Sequence, residues 1–574
     1  MNNFLSITRV CVLLILLAVS LAASVSSQAD DTKKPNNPPA LADDSTPKKT
    51  EGGLTDRERM LLDRVELLEK RVAELESKKA PPDKESPVVA VTGGSSAQPA
   101  TDLSTASSGI SSYSASFPNT AAANVEPAIS KAAGVHTQDA AVSGEKPKKE
   151  EPFAFADWTW LNGNSRTKES PLDTKYFTPE FRADTSYIYD FAHPQDHTLS
   201  GTSESGRTDE FQVQQLGVGG DFHVGNVRGR LMTQFGMYST MTPRNDPTVG
   251  KGQWQLDNAY RYLSEAYGGY HINALHGINI DAGIFMSYIG LFSYYNFDNW
   301  AYQPSYVSSN TPWFFNGMRI QIFPTAKLKI EPWIINGWQS YGTANGRRGL
   351  GMQVLYRPNS KVSIVSNNYG VGQDTVGVPG RTRWHTDDSI EVKYYDHPER
   401  FFDKSAFSLT VDAGCESGGG VTCFANSKGL PKQYFLGAML YNRFWFHRDL
   451  FGITLGGGYI TNPGRYLVLL PPVNGATSFS GTPYFTENPG DKFRGWDTSA
   501  TFDYMPVQFI TFRWEYDYRG SSVPYFAGKG GVTPPGGNSG APGSSITDAN
   551  GNIIWFPDLR KSEHRLNMAI LVKF

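Results

Sequence analysis

The chain ends on Arg565-Leu566-Asn567-Met568-Ala569-Ile570-Leu571-Val572-Lys573-Phe574, and this segment constrains the fold more than any other. Leu566, Met568, Ile570, Val572 and Phe574 alternate with Arg565, Asn567, Ala569, Leu571 and Lys573. Successive side chains of an extended backbone point to opposite faces, so this is a strand with one apolar and one mostly polar face. Its length suits a tilted strand crossing a bilayer. A soluble protein can also end on an amphipathic edge strand, so the choice depends on the rest of the sequence.

The other end reads as an export signal over residues 1–29. Arg9 gives a positive start, Val10 to Ala23 is apolar but short for a membrane helix, and Ser27-Gln28-Ala29 is a small-x-small cleavage site. An uncleaved anchor is the alternative. Cys11 lies inside the apolar stretch rather than after it, which argues against a lipoprotein signal. Together the two ends resemble bacterial outer-membrane β-barrels, where a final strand closing on Phe is the recognition signal for the insertion machinery. Phe574 would be that signal here.

No run after Ala29 reaches the roughly 18 apolar residues of a membrane helix. Aromatic residues make up 13% of the chain, which suits strands carrying aromatic belts. Only 39% of residues are hydrophobic, and this is compatible with a barrel whose strands give half their positions to a wet lumen. A net charge of −3 points to no nucleic-acid partner.

Three regions precede the alternating part. Residues 30–53 are charged and Pro-rich, hence expected to be disordered. Residues 54–79 open with a capping box, Thr55-Asp56-Arg57-Glu58. A seam of Leu61, Val65, Leu68, Val72 and Leu75 then recurs at spacings of three and four, up to Pro81-Pro82. This predicts a short coiled coil and a homo-oligomer, dimer or trimer; a lone amphipathic helix is the alternative. Residues 80–152 are rich in Ala, Ser, Thr, Gly and Pro and predict a flexible linker.

From residue 153 to 574 the pattern is period-two. On one strand Phe181, Ala183, Thr185, Tyr187 and Tyr189 oppose Arg182, Asp184, Ser186 and Asp190. On another Ile510, Phe512, Trp514, Tyr516 and Tyr518 oppose Thr511, Arg513, Glu515 and Asp517. Turn signals alternate between short and long connections, seven short and eight long, which predicts an all-β transmembrane antiparallel barrel of about 16 strands starting near Phe177. Phe153 to Leu161 is left over and is open between a periplasmic segment, a lumenal strand and part of an 18-stranded barrel. A soluble β-sandwich would explain the alternation but not the loop rhythm, the signal and the terminal Phe together.

Four stretches carry a further likeness: Phe155-Ala156-Asp157-Trp158-Thr159-Trp160-Leu161-Asn162-Gly163, Tyr176-Phe177-Thr178-Pro179-Glu180-Phe181-Arg182, Pro312-Trp313-Phe314-Phe315-Asn316-Gly317 and Glu331-Pro332-Trp333-Ile334-Ile335-Asn336-Gly337-Trp338. They resemble the β-barrel porin-2 family over roughly 153–574. The resemblance implies an outer-membrane porin-like barrel and carries no catalytic signature.

No HExxH, Walker loop, nucleophile elbow or CxxC is present, so no catalytic, cofactor or metal residues are assigned and no enzyme is expected. His193 and His197, and His385 beside Asp387 and Asp388, read as ordinary residues rather than metal ligands. The expected function is passive entry of small hydrophilic solutes through a barrel in the bacterial outer membrane, with coiled coil and linker in the periplasm. Alternation puts Arg228, Arg230, Arg261, Arg319, Asp497, Asp503, Glu515 and Asp517 on the lumen, either as selectivity charges or as structural pairs. The third long loop, 290–312, carries Phe292, Tyr294, Tyr295, Phe297, Trp300, Tyr302 and Tyr306. So many aromatics need shelter, so the loop either constricts the pore or makes a subunit contact. Cys415 and Cys423 predict a disulfide in an outer loop. The rival function is a structural tether, with the barrel as anchor for the coiled coil; an outer-membrane hydrolase and a plug-gated transporter fit less well.

Overall fold

The computed structural model describes residues 150–574, apart from 203, 249–250, 425–428, 463–491, 534–545, 548–549 and 551. The expected signal over 1–29, the coiled-coil seam and nearly all of the linker lie outside the described residues. The alternating part forms sixteen strands: β1 (Phe177–Asp190), β2 (Phe211–Val224), β3 (Val227–Thr233), β4 (Leu263–Ile272), β5 (Ile278–Met286), β6 (Phe314–Thr325), β7 (Leu328–Ile335) and β8 (Gly349–Asn359), followed by β9 (Val362–Gly372), β10 (Thr382–Asp396), β11 (Phe402–Ser417), β12 (Tyr434–Phe446), β13 (Phe451–Asn462), β14 (Phe493–Val507), β15 (Ile510–Ser521) and β16 (Ser562–Lys573). Each pairs antiparallel with the next, and β16 closes on β1, so the sheet is a barrel without edges.

The seam sits where the terminal strand pattern requires it. Pairing runs from Arg182 opposite Lys573 to Asp190 opposite Arg565. Phe574 extends it by one residue, exchanging backbone hydrogen bonds with Phe181 at 2.7 and 3.1 Å and stacking on its ring at 5.0 Å. The short and long connections alternate as the sequence predicts. The left-over segment is not a seventeenth strand; it holds only a 3-10 turn, Thr159–Leu161.

Burial follows the alternation, but inverted relative to a soluble protein. Five of the largest fully buried side chains are arginines, Arg357, Arg443, Arg513, Arg519 and Arg565. Leu440, Leu455, Trp514, Tyr516 and Ile570 are exposed on the outside. Apolar side chains outward and charged ones inward is the arrangement of a barrel whose outer solvent is lipid, and it excludes the soluble β-sandwich.

The long loops are tied to one another at their end of the barrel. Asp196, in the loop after β1, accepts hydrogen bonds from the backbone of Val532 and Thr533, both at 2.7 Å, in the loop after β15. Burial pushes its carboxyl up, but these bonds and the one from the Thr198 backbone outweigh that and hold it below the usual carboxylate range. The disulfide between Cys415 and Cys423 is formed. Only Cys423 lies in the loop proper: Cys415 stands within β11, opposite Trp384 and Tyr434, because β11 keeps pairing up to its last residues.

A covalent loop this short is worth about 2.5 kcal/mol at most by chain entropy. Unreduced protein should therefore resist thiol labelling at both cysteines. Reduction should make the segment around Gly418–Thr422 cleavable by protease while the barrel keeps its heat-modifiable mobility on gels.

Candidate functional site

The lumen is lined by charges that alternation brings inward, and they are paired. Arg230 reaches Glu180 and Asp221, both at 2.8 Å, and Glu265 at 2.9 Å. Arg228 and Arg319 flank Asp281 at 3.3 and 3.1 Å. Asp503 takes Arg443 and Arg513, both at 2.7 Å. A charge left unpaired in a dry interior is costly, so each of these pairs fixes its neighbours. Seven of the eight charges assigned to the lumen therefore face inward: Arg228, Arg230, Arg319, Asp497, Asp503, Glu515 and Asp517. Arg261 stands just ahead of β4, after the short helix Leu256–Tyr260, and pairs with Asp257 at 3.9 Å.

The third long loop folds inward. Phe292, Tyr294, Tyr295, Phe297, Trp300, Tyr302 and Tyr306 are all buried. The loop leaves β5, crosses the lumen and meets the far wall. There Glu515 accepts the backbone N–H of Tyr302 and Gln303 at 2.5 and 2.7 Å. Asp497 accepts from Tyr306 N at 2.9 Å and from Ser305 Oγ at 2.8 Å. Arg513 donates to the carbonyls of Asn296, Asn299 and Ala301 at 3.0, 2.7 and 3.1 Å. On β1, two strands along the same wall from β15, Asp184 accepts from Tyr302 Oη at 2.9 Å and Arg182 holds Asp298 at 2.8 Å. Asp497 and Glu515 are thus loop anchors rather than a solvated selectivity ring, and the loop's aromatics are sheltered within their own barrel.

The left-over segment occupies the other mouth. Residues 150–168 run across the ends of the short turns. Glu150 O lies 2.9 Å from His276 Nδ1, and Phe153 N donates to Ala326 O at 2.7 Å, in the β6–β7 turn. At the other end Asn164 donates to Val507 O and Ile510 O, and Thr167 Oγ1 to Gln508 O at 2.7 Å, around the β14–β15 turn. Those two turns are half a ring apart, so the segment spans a diameter. Trp158, Trp160 and Leu161 point into the barrel and are buried. The segment and the third loop interlock at Gly163. Its N–H donates to Asp298 O at 2.9 Å, its carbonyl accepts from Arg443 at 2.8 Å, and Trp300 donates to Trp160 O at 3.2 Å. A Cβ at this position would meet Asn299 O and Phe297 O at 2.4 Å, so only glycine fits.

Basic wall residues lie against the segment's rings. Arg357 sits 4.3 Å from the ring centre of Trp158 and 5.2 Å from that of Phe153, and Lys393 sits 5.9 Å from that of Trp160. Desolvated cation–π contacts of this kind contribute about 2 kcal/mol each. Sequence reasoning left the segment unplaced and missed Arg357 and Arg443. Its two tryptophans with no strand to belong to were the available signal. Small pockets remain beside these fillings: about 80 Å³ near Glu180, Asp221, Asp298 and Lys573, and about 20 Å³ between Leu161, Trp300, Glu391 and Tyr441. Among the described residues no group of three or more His, Cys, Asp or Glu is arranged to hold a metal.

A family model described as "Putative beta-barrel porin-2, OmpL-like" matches residues 182–539. No curated protein matches the sequence. Similar solved structures include an outer-membrane protein of Vibrio cholerae, OmpT, at 10% identity, covering 70% of this chain and 99% of that one, with a TM-score of 0.38. An anion-selective porin from Comamonas acidovorans has 10% identity, covering 69% and 99%, and a TM-score of 0.38. Pseudomonas putida OprB has 11% identity, covering 75% and 100%, and a TM-score of 0.38.

Replacing Arg513 by Met removes one partner of a buried ion pair and strands three loop carbonyls. It should destabilise the folded barrel by about 3 kcal/mol or more, read as a lower temperature for loss of the compact band on semi-native gels.

Proposed function

The chain belongs to the β-barrel porin-2 family of outer-membrane barrels, and on that premise we propose that it is a channel for passive diffusion of small hydrophilic solutes. The carrying observation is the third loop. It crosses the lumen, and buried charges of β1 and β15 fix its middle, around residues 296–303, against the wall. Arg228, Arg230, Arg319, Asp503 and Asp517 put both signs on the inner face of the wall, so selectivity would come from local arrangement rather than net charge. In this reading the long loops face outward and the short turns face the periplasm with residues 150–168. Residues 54–79 assemble copies into a dimer or trimer as a coiled coil, and Phe574 is read by the insertion machinery.

The tether reading keeps one specific support: the third loop and residues 150–168 fill much of the lumen from its two ends. Conductance separates the two. Purified protein in a planar bilayer should give small unitary currents, and deletion of Tyr295 to Ser305 should raise them several-fold. Absence of current from both the intact and the deleted protein would favour the tether. Unchanged current with weakened oligomers would count against the loop as a constriction.

A further inference from the structure

Arg357 stands apart from the other fully buried arginines in that its guanidinium has neither a hydrogen bond nor an ion pair among the described residues; Arg565, the other whose guanidinium nitrogens make no hydrogen bond, still pairs with Asp517 and Glu563 at 3.8 and 3.7 Å. Arg357 lies near the short-turn end of β8 and is fully buried. Among the described residues no hydrogen-bond partner lies within reach of its Nε, Nη1 or Nη2. Arg443, Arg513 and Arg519 are just as buried, yet each donates to carbonyl or carboxylate oxygens. The neighbouring lysines are also satisfied: Lys329 pairs with Glu331 at 2.6 Å and Lys393 with Asp396 at 2.7 Å. Glu391 of β10 offsets the charge of Arg357 without supplying a hydrogen bond. What covers Arg357 is the pair of rings from Trp158 and Phe153. Rings meet the charge of a guanidinium but give its in-plane N–H groups no acceptor.

We infer that Arg357 is a binding site for the oxyanion group of a solute, a carboxylate or a phosphate, and that Trp158 and Phe153 hold its place until that solute arrives. A guanidinium presents parallel N–H donors in a plane, which match two oxygens of a carboxylate or phosphate. An oxyanion therefore offers what the rings cannot, and exchange of one for the other completes the donors of Arg357. The same exchange moves the segment off the mouth. Leu161 of the same segment also lines the small cavity shared with Trp300, Glu391, Ser408 and Tyr441, so displacing the segment enlarges the space there. Solute binding and opening are then one event at one residue. The inference rests on the channel reading of the barrel.

The test uses the full-length protein in detergent and in planar bilayers, with succinate and inorganic phosphate as probes. Trp158→Leu keeps an apolar side chain and removes the ring over Arg357. This variant should conduct more than the native protein in potassium chloride and should be blocked by one of the two anions. Adding Arg357→Gln should raise the half-blocking concentration at least about tenfold, the order expected for hydrogen bonds to a charged group, and Arg357→Lys should raise it less. Tighter block by succinate assigns the site to carboxylates, and tighter block by phosphate assigns it to phosphates. Equal block with and without Arg357→Gln, or block by neither anion, overturns the proposal. Calorimetric titration of the same variants in detergent separates this from failure of the channel reading. If nothing conducts but Trp158→Leu binds an anion and the double variant does not, the site stands and the channel falls. If Trp158→Leu loses its heat-modifiable fold, the native protein supplies the test: anion binding must be weaker after Arg357→Gln alone, and equal binding overturns the site.

Discussion

The interior of this barrel depends on ion pairs that cross between strands and between wall and loop. Arg443, Arg513 and Asp503 form its centre, all fully buried. Charges taken this far from water are tolerable only when each finds its counterpart in good geometry. That requirement ties β12, β14 and β15 to one another, then to the third loop through Arg513 and to residues 150–168 through Arg443. Loosening the cluster would release both fillings of the lumen at once. The outside has no comparable demand, because lipid accepts any apolar side chain on a closed wall whose backbone groups are paired.

The wall was legible because its physics is local. Period-two alternation puts Thr511, Arg513, Glu515 and Asp517 on one side and Phe512, Trp514 and Tyr516 on the other, and turn residues mark each reversal. Loop lengths alternate because the two ends of the barrel face different compartments. The start of β4 was less legible: a short helix interrupts the alternation there, so the pattern alone does not fix the setting of Arg261. The inward path of the third loop was also legible, since its aromatics had to be sheltered somewhere.

The contents of the lumen were less so. The acids that anchor the loop could be read as facing inward, but not as receiving backbone N–H groups from Tyr302 and Tyr306 more than a hundred residues away in sequence. Likewise nothing local distinguishes Arg357 from Arg443: their difference is what the opposite side of the barrel brings to them. Trp158 and Trp160 read as unassigned aromatics because the cations that meet their rings, Arg357 and Lys393, lie on distant strands. Long-range polar complementarity has no periodicity, so it leaves no trace in a single sequence.

The way Arg513 holds the third loop has a consequence for how such an interior can change. Its donors grip main-chain carbonyls at Asn296, Asn299 and Ala301, and Glu515 grips main-chain amides. Part of the loop's course is thereby written in the wall, through its main chain, beside the contacts that Asn296, Asp298, Tyr302 and Ser305 make with their side chains. Loop residues whose side chains make no contact with the wall can then be exchanged while the path is kept, so one frame can be refitted to many cargoes. Divergence in lineages built on such a frame would fall on the loop, while the wall charges that steer it would be slow to move.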